Sequence, residues 1–467
     1  MTTSTSTESR SSPAPRPTLQ PSGDTVIVSP HSRRPGGGAR GRSAAPVVAG
    51  VLATVAFLVT GVPPAGALHT ESRPATRVTS GASHGHTAGR QWSTRALAFS
   101  SEVDLLGNGS TGRQLFVFDL LAYDCNRFTT HLATPCPVPP RPPLLQLTHG
   151  PGSPDNPSLV FNTTIDNQLT IIVAFEADGS FNGGTGQAAS HRQVYLMNIT
   201  TGETIQVTNS PDGDSVHPSI SANGSMVTFE STAPLAGVPG DAGVAQVFAY
   251  WRQWNVGIGH LMQITAGHAP STAPSISSAK NSGLIVFESS ADLLGDGHDT
   301  AASQIFLVNV DWVNEQIALT QLTNGNAPSR RPAFNAKQGF VAFESDATDL
   351  ARASSGQGTE IYAVPTTQGD LPPVKQITTF DPYGNCSFPA IGESGDRIAF
   401  ICTGDPLLND TTGNRAFVLE VTLPDITPGM LHQVTGRGDV KGPIGMYMGR
   451  SFLTIANGVK IAQEGAF

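Results

Sequence analysis

The stretch "PSISANGSMVTFES", residues 218–231, carries a hydrophobic residue at every second position on both sides of an Asn-Gly pair. An Asn-Gly pair flanked by alternating apolar residues is a strong signal of a β-hairpin. Related segments, each opening on proline and each containing a strand that ends in Phe, recur at 274–297, 332–350 and 389–405. The recurrence predicts a fold built from one repeated β-unit.

A third and a fourth strand are predicted after every hairpin. The third begins at residues such as Gln193, Gln246 and Gln304. The fourth ends in a motif of the type Gln-Leu-Thr, and the threonines are 60, 57, 58, 55 and 57 residues apart: Thr148, Thr208, Thr265, Thr323, Thr378 and Thr435. Four antiparallel strands at a fixed period are the signature of β-propeller blades. The sequence therefore predicts an all-β propeller of four-stranded antiparallel blades.

These elements resemble the WD40-like β-propeller repeats of the TolB type. The resemblance rests on Pro-Ser-Ile-Ser, Val-x-Phe-Glu-Ser, Ala-Asp-Leu-Leu-Gly-Asp, Gln-Ile-Phe-Leu and Gln-Leu-Thr, and it covers about residues 77–461. It concerns the propeller part only, without the N-terminal domain of TolB. The resemblance implies the fold, whereas propellers of this type serve both as binding platforms and as accessory domains of peptidases.

The two ends of the chain together predict one further blade. Thr79 lies 20 residues before Phe99, the same offset as Thr323 to Phe343, so residues 77–79 resemble an outermost strand. Residues after Thr435 supply a first, a second and a third strand that lack a fourth. We therefore expect seven blades, closed by shared N- and C-terminal strands, with six blades as the alternative.

Composition agrees with an all-β chain and argues against nucleic acid as a partner. The 467 residues include 50 Gly and 36 Pro, and only 13% are charged, which does not suggest long surface helices. Six of the 27 basic and two of the 36 acidic residues lie before residue 68, so the remainder, with 21 basic and 34 acidic residues, has a net charge of −13. Phosphate binding needs clustered Lys and Arg.

The N-terminus predicts export. Residues 1–43 form a basic leader without apolar periodicity, which we expect to be disordered. Residues 44–67 contain an apolar run and the small-residue sequence "PPAGA", as a signal peptide and its cleavage site require. A linker (68–76) and the propeller (77–467) follow. The alternative is an uncleaved membrane anchor formed by residues 44–62, the only membrane contact we expect.

The four cysteines are read as disulfides in an oxidising compartment. Cys125 and Cys136 lie in one insertion, and Cys386 and Cys402 flank a predicted hairpin whose folding brings residue 386 opposite 402 or 403. A zinc site is the alternative, but neither pair has Cys-x-x-Cys spacing. Two local disulfides, 125 with 136 and 386 with 402, are therefore expected.

The candidate binding face carries the loops that join successive blades. At the channel mouth we place the residue before each blade-opening proline: Asn156, His217, Ala273, Arg331, Phe388 and Gly442. The candidate ligand-binding set combines members of this ring with nearby charged residues: His217, His268, Arg330, Arg331, Asp212 and Asp214. Such a mouth could hold an anionic or polyhydroxy ligand. The alternative is that these are hydrated loop residues around a water-filled channel.

No catalytic constellation can be assembled from the motifs. The repeated Phe-Glu-Ser places Glu230, Glu288 and Glu344 one to a blade, which suits hydrogen bonding between blades better than paired acids for glycoside cleavage. We expect no cofactor. Carboxylates in 210–215 and 293–300 could bind a structural Ca²⁺ through oxygen ligands, although Asp and Gly also make ordinary turns.

Two classes of function follow. The first is an exported, non-catalytic propeller, expected to be a monomer, that binds a protein or glycan in the cell envelope or outside the cell. The second is an exported propeller enzyme, such as a polysaccharide lyase or hydrolase, or a peptidase relative, with its site at the channel mouth. For the first we expect binding that weakens with salt and with rising pH near the histidine reference pKa of about 6.5. We also expect Arg330 and Arg331, as exposed loop residues, to be replaceable without harm to the fold.

Overall fold

The computed structural model describes residues 76–77 and most of residues 96–463. The gaps of six or more residues within this span are 78–95, 123–141, 179–189, 236–242, 296–301, 352–357, 367–372 and 435–444. Regular structure in the described residues consists of 27 β-strands. No helix among them is long and apolar enough to cross a bilayer. The predicted leader and apolar segment, residues 1–67, lie outside the described residues.

The strands form six four-stranded sheets and one three-stranded sheet. The three-stranded sheet contains β2 (Ala96–Ser101), β3 (Gln114–Asp119) and β4 (Leu144–Gln146). Two four-stranded sheets follow it: β5 (Asp155–Ile165), β6 (Gln168–Ala177), β7 (Gln193–Asn198) and β8 (Thr204–Gln206); then β9 (Ser215–Ile220), β10 (Met226–Ser231), β11 (Gln246–Gln253) and β12 (Ile258–Gln263).

Three further four-stranded sheets complete the sequential part. Their strands are β13 (Ser271–Ala279), β14 (Ser282–Ser289), β15 (Gln304–Asp311) and β16 (Gln316–Gln321); β17 (Ser329–Asn335), β18 (Phe340–Ser345), β19 (Glu360–Pro365) and β20 (Lys375–Gln376); and β21 (Cys386–Ile391), β22 (Arg397–Cys402), β23 (Arg415–Thr422) and β24 (Thr427–Gln433). In each sheet, strands consecutive in the chain pair antiparallel. The predicted all-β propeller of four-stranded antiparallel blades is confirmed.

The last sheet combines the two ends of the described chain. Its strands are β1 (Thr76–Arg77), β25 (Gly445–Tyr447), β26 (Ser451–Ile455) and β27 (Val459–Gln463), in the order β1-β27-β26-β25. Thr76 lies opposite Ile461, and Arg77 lies opposite Lys460. The N-terminal strand, expected at 77–79, is observed at 76–77 and takes the outermost place beside the C-terminal strands.

The phenylalanine that ends each hairpin packs in the core. Phe229 is buried and stacks on Phe248 of the third strand, with ring centroids 5.9 Å apart. Five other sheets show the same stacked pair between the second and third strands: Phe99 with Phe116, Phe175 with Tyr195, Phe287 with Phe306, Phe343 with Tyr362, and Phe400 with Phe417. Such pairs add about 0.5–1.5 kcal/mol to their burial. The repeated Phe is thus a core residue.

The Gln-Leu-Thr motif fastens the fourth strand to the third. The hydroxyl of Thr323 accepts a hydrogen bond from the backbone N–H of Ile305 (2.9 Å) and donates one to the side chain of Gln304 (2.8 Å). The same bond to a third-strand N–H is made by four other threonines of the series: Thr148, Thr208, Thr265 and Thr378. Thr435 lies outside the described residues. The recurring threonine thus makes the same bond in five of the described blades.

The disulfide between Cys386 and Cys402 is confirmed. The two residues lie directly opposite each other on β21 and β22, with Cα atoms 4.1 Å apart. Three other blades carry a hydrogen-bonded serine pair at this register: Ser215 with Ser231, Ser271 with Ser289, and Ser329 with Ser345. The disulfide therefore replaces a polar cross-strand pair. Cys125 and Cys136 lie outside the described residues.

Candidate functional site

The residues predicted at the channel mouth share one unusual backbone conformation. Asn156, His217, Ala273, Arg331 and Phe388 have φ between 46° and 55°, in the left-handed region that few non-glycine residues adopt. In each sheet the register of the first two strands shifts at this residue and the proline after it. A bulge of this kind redirects a side chain, and proline suits it because its nitrogen has no ladder bond to make. Gly442 lies outside the described residues.

A carboxylate from the preceding blade holds each of four left-handed residues. The backbone N–H of His217 donates to Oε2 of Glu176 at 2.6 Å. The same bond joins Glu230 to Ala273 (2.7 Å), Glu288 to Arg331 (2.6 Å) and Glu344 to Phe388 (2.9 Å). The hydrogen bonding between blades expected of the repeated glutamates is confirmed. Glu176, which the sequence analysis did not single out, belongs to the same series.

The second carboxylate oxygen generally faces a cation. Oε1 of Glu230 lies 2.8 Å from Nδ1 of His217, and Oε1 of Glu344 contacts the Arg331 guanidinium. Two further pairs continue the series: Glu176 with Arg192 (3.0 Å), and Asp155 with Arg113. We call these residues the charged ring: Arg113, Asp155, Glu176, Arg192, His217, Glu230, Glu288, Arg331 and Glu344.

Cations form the outer surface of the charged ring. The side chain of His217 is 56% exposed and that of Arg331 is 47% exposed, whereas their partners Glu230 and Glu344 are 11% and 2% exposed. The buried carboxylates are therefore shielded behind the positive groups. A ligand that reaches His217 or Arg331 therefore meets imidazolium or guanidinium before it meets the carboxylate of Glu230 or Glu344.

His217 is a stronger base than an unperturbed histidine, whose pKa is about 6.5. Desolvation, the largest single influence, lowers its pKa, but the hydrogen bond and charge of Glu230, with the charges of Glu176 and Asp155, together raise the pKa to about 9. Near neutral pH the imidazole of His217 is therefore protonated. The expected titration near 6.5 is wrong, because the carboxylates of two neighbouring blades converge on this imidazole.

Arg330 and Arg331 belong to strand β17, so the expectation that they lie on a loop is wrong; Arg331 is exposed, as expected, and Arg330 is partly exposed. Arg330 binds Asp346 at 2.7 Å and lies 3.7 Å from the buried Glu344. The guanidinium of Arg331 lies 4.4 Å from the centroid of the Phe388 ring, a cation–π distance. Replacing both arginines would leave Glu344 without its cations, which is destabilising.

The other candidate residues lie on loops between blades. Asp214 accepts a hydrogen bond from the backbone N–H of Arg192 at 2.7 Å, which connects it to the charged ring. Asp212 and His268 are exposed, on the loops that follow β8 and β12. Within the described residues, no group of three or more His, Cys, Asp or Glu could hold a metal ion. Residues 296–300 of the second acidic loop lie outside that part of the chain.

Besides Glu176, three members of the charged ring were not predicted from the sequence: Asp155, Arg113 and Arg192. Asp155 precedes a mouth residue, and its carboxylate accepts a hydrogen bond from Ser100. Ser100 stands at the position that four other blades fill with a glutamate. Arg113 and Arg192 each directly precede the glutamine that begins a third strand. An Arg-Gln pair at that point is the signal that could have identified them, but it occurs in only two blades.

The fold is a β-propeller, and its repeats resemble those of the TolB type. No protein-family model and no curated protein matches the chain. It is similar in fold to an oligogalacturonate lyase from Vibrio parahaemolyticus, with 12% identity, a TM-score of 0.49, and coverage of 85% of this chain and 94% of that one. A putative TolB from Agrobacterium tumefaciens is similar at 14% identity and a TM-score of 0.39, over 69% of this chain and 94% of that one. The periplasmic gluconolactonase of Pseudomonas aeruginosa is similar at 13% identity and a TM-score of 0.42, over 76% of this chain and 88% of that one.

Proposed function

We propose that this protein is an exported, non-catalytic β-propeller that binds an anionic protein or glycan of the cell envelope or exterior at the charged ring. The observation that carries the proposal is the outward exposure of His217 and Arg331 above buried carboxylates. Arginine offers a planar pair of donors that matches a carboxylate, sulfate or phosphate. The protonated His217 adds a second positive group, two blades before Arg331 in the chain.

Rigid placement supports binding at this surface. The backbone of His217 and Arg331 is fixed by a bulge and by a bond to Glu176 or Glu288 of the preceding blade. The side chains of His217 and Arg331 are held by Glu230 and Glu344, on the second strands of their own blades. Groups that are already ordered lose little conformational freedom when a ligand binds, which favours affinity.

The proposal also includes export of the protein and closure of the propeller by its two termini. The Cys386–Cys402 disulfide and the apolar segment before residue 68 support an oxidising, exported location. The seven sheets and the pairing of β1 with β27 support seven blades closed by the two termini. Mass spectrometry of the exported chain should find a mature protein that starts at Leu68. A full-length chain in the membrane fraction would favour the uncleaved anchor instead.

Defined polyanions test the binding site. Wild-type protein should bind polygalacturonate or poly-L-glutamate and should not bind neutral dextran. Its affinity for the polyanion should fall as salt is added, because the attraction is electrostatic. The two polyanions separate a glycan ligand from a peptide ligand. The variant pair His217→Gln with Arg331→Met should reduce binding about tenfold or more, since each charge-assisted hydrogen bond is worth about 1.5–3 kcal/mol.

A charge-conserving control keeps this test independent of folding. Arg331→Lys retains a cation beside Glu344 and should retain most of the binding, whereas Arg331→Met should not. Equal binding of both polyanions by wild type and the His217/Arg331 variant would refute the site assignment. Turnover of polygalacturonate that is lost in His217→Ala would favour the enzyme alternative over a binding protein.

A further inference from the structure

One carboxylate of the charged ring has no cation at its side. Asp155, Glu176, Glu230 and Glu344 each have an Arg or His within salt-bridge distance. Glu288 accepts hydrogen bonds from the hydroxyl of Thr272 at 3.1 Å and from the backbone N–H of Arg331 at 2.6 Å. Both donors are neutral, and among the described residues no cationic side chain lies within 4.0 Å of this carboxylate.

The missing cation has a defined place in the repeat. His217 and Arg331 stand at the left-handed position of their blades and reach back to the glutamate of their own second strand. In the blade of Glu288 that position is Ala273, whose φ of 50° lies between the 53° of His217 and the 49° of Arg331. The backbone is therefore arranged as in the neighbouring blades, while the side chain is a methyl group too short to cover the carboxylate.

Glu288 also differs from the other ring carboxylates in exposure. It is partly exposed, whereas Asp155, Glu176, Glu230 and Glu344 are buried as residues. Desolvation, together with the charge of Glu230, raises the pKa of Glu288 above its ordinary value. The charge of Arg331 opposes this shift, but the guanidinium itself contacts Glu344. An accessible carboxylate without its own counter-charge is a natural acceptor for a cation brought by a ligand.

We propose that Glu288, Thr272 and Ala273 form a subsite for a primary ammonium group of the ligand. The ammonium takes the place that the His217 and Arg331 side chains occupy in the adjacent blades. This inference rests on the proposed function and refines it. A ligand bound across the ring carries an anionic group for His217 or Arg331 and an ammonium for Glu288, which is the chemistry of an amino sugar linked to an acid or of an amino-acid side chain.

Small ammonium probes and their acetylated counterparts test the subsite. D-glucosamine and Nα-acetyl-L-lysine methylamide are the two ammonium probes, and N-acetyl-D-glucosamine and Nα,Nε-diacetyl-L-lysine methylamide are the uncharged matches. We expect wild-type protein to bind the better ammonium probe about tenfold or more tightly than its acetylated form, measured by NMR titration. A preference shown by glucosamine alone points to an amino sugar, and one shown by lysine alone points to a peptide side chain.

Two variants locate the preference. Ala273→Arg supplies the missing cation from the chain, at a backbone conformation that Arg331 already adopts, and should abolish the ammonium preference. Glu288→Gln keeps an acceptor for the Arg331 N–H but removes the charge, and should abolish it as well. Ala318→Arg adds the same charge on the exposed outermost strand of the same blade, β16, away from β13 and β14, and should keep the preference. If Ala273→Arg fails to fold, Glu288→Gln decides.

Equal affinity of wild type for the ammonium probes and their acetylated forms would overturn the inference. So would an ammonium preference that survives in Glu288→Gln. Binding of polygalacturonate or poly-L-glutamate by wild type is measured in the same samples. If wild type binds polyanions but shows no ammonium preference, the proposed function stands and the subsite is refuted. If wild type shows the ammonium preference but does not bind polyanions, the proposed function is refuted.

Discussion

Replacing Glu230 tests the physical account of the charged ring at a single residue. Its Oε1 faces His217, and its Oε2 accepts the N–H of Ala273 from the next blade. Glu230→Gln keeps an oxygen acceptor for that N–H but removes the negative charge. Glu230→Ala removes both. The two variants therefore separate the charge from the hydrogen bond.

The expected magnitudes follow from these contacts. An opposite charge at this distance shifts a pKa by about 1–3 units, so the pKa of His217 should fall by that amount from about 9 in Glu230→Gln. Because the imidazole is more than half exposed, loss of the pair should cost no more than about 1 kcal/mol of unfolding free energy. Glu230→Ala also leaves the Ala273 N–H without its acceptor, which costs a further ~1–3 kcal/mol.

The pH dependence has a definite sign. The pKa of His217 is higher in the folded protein than in the unfolded chain, so its stabilisation is fully present below about pH 6.5 and is lost as the pH rises through about 9. The free energy of unfolding of wild type should therefore fall over that interval by more than that of Glu230→Gln. Histidine NMR titration and urea unfolding measure the two effects.

Glu203→Ala is the matched control for the Glu230 variants. Glu203 binds Arg252 at 2.9 Å but is 48% exposed, so its loss should cost no more than about 1 kcal/mol. An unchanged pKa of His217 in Glu230→Gln would refute the electrostatic account. Equal destabilisation by Glu203→Ala and Glu230→Ala would refute the role of the bond between blades.

Three further predictions concern the frame that holds the ring. Replacing Cys386 and Cys402 by alanine should lower the free energy of unfolding in urea by about 3 kcal/mol, for a loop of this length. Replacing both by serine should cost about 1 kcal/mol less, because other blades pair serines at this position, and identical losses would contradict this. Thr323→Val should cost about 1–3 kcal/mol because the Ile305 N–H loses its acceptor, and Thr323→Ser should restore most of it; a neutral valine would contradict this. Deleting residues 440–467 removes the partner of β1 and should lower the melting temperature, and an unchanged value would contradict closure by the termini.

Periodicity made the frame predictable from the sequence. The interval between the Gln-Leu-Thr threonines predicted the blades. Glu230, Glu288 and Glu344 were predicted to bond between blades because each follows the Phe of its own repeat. The pairing of Cys386 with Cys402 followed from the register of one hairpin. Each of these features is repeated or local, so the spacing of residues in the chain carries the information.

The electrostatics of the site were not predictable in the same way. The partner of Glu176 is Arg192, which reaches the ring from the start of a third strand, and that pairing occurs in no fixed pattern from blade to blade. The bulge places Arg331 within the first strand rather than on a loop. The proline that follows Arg331 is the only sequence signal of this bulge. The high pKa of His217 depends on carboxylates that are distant in sequence.

The most direct test of the central claim is whether an anionic ligand contacts His217. NMR titration with short galacturonate or glutamate oligomers, whichever polymer binds, can follow the imidazole signals of the 12 histidines, with His217 assigned through His217→Gln. The account predicts that the His217 signal moves with ligand and that its pKa rises above about 9, because a second anion stabilises the protonated ring. Saturable binding that leaves His217 unchanged while the signal of His432, on β24, moves would contradict the account.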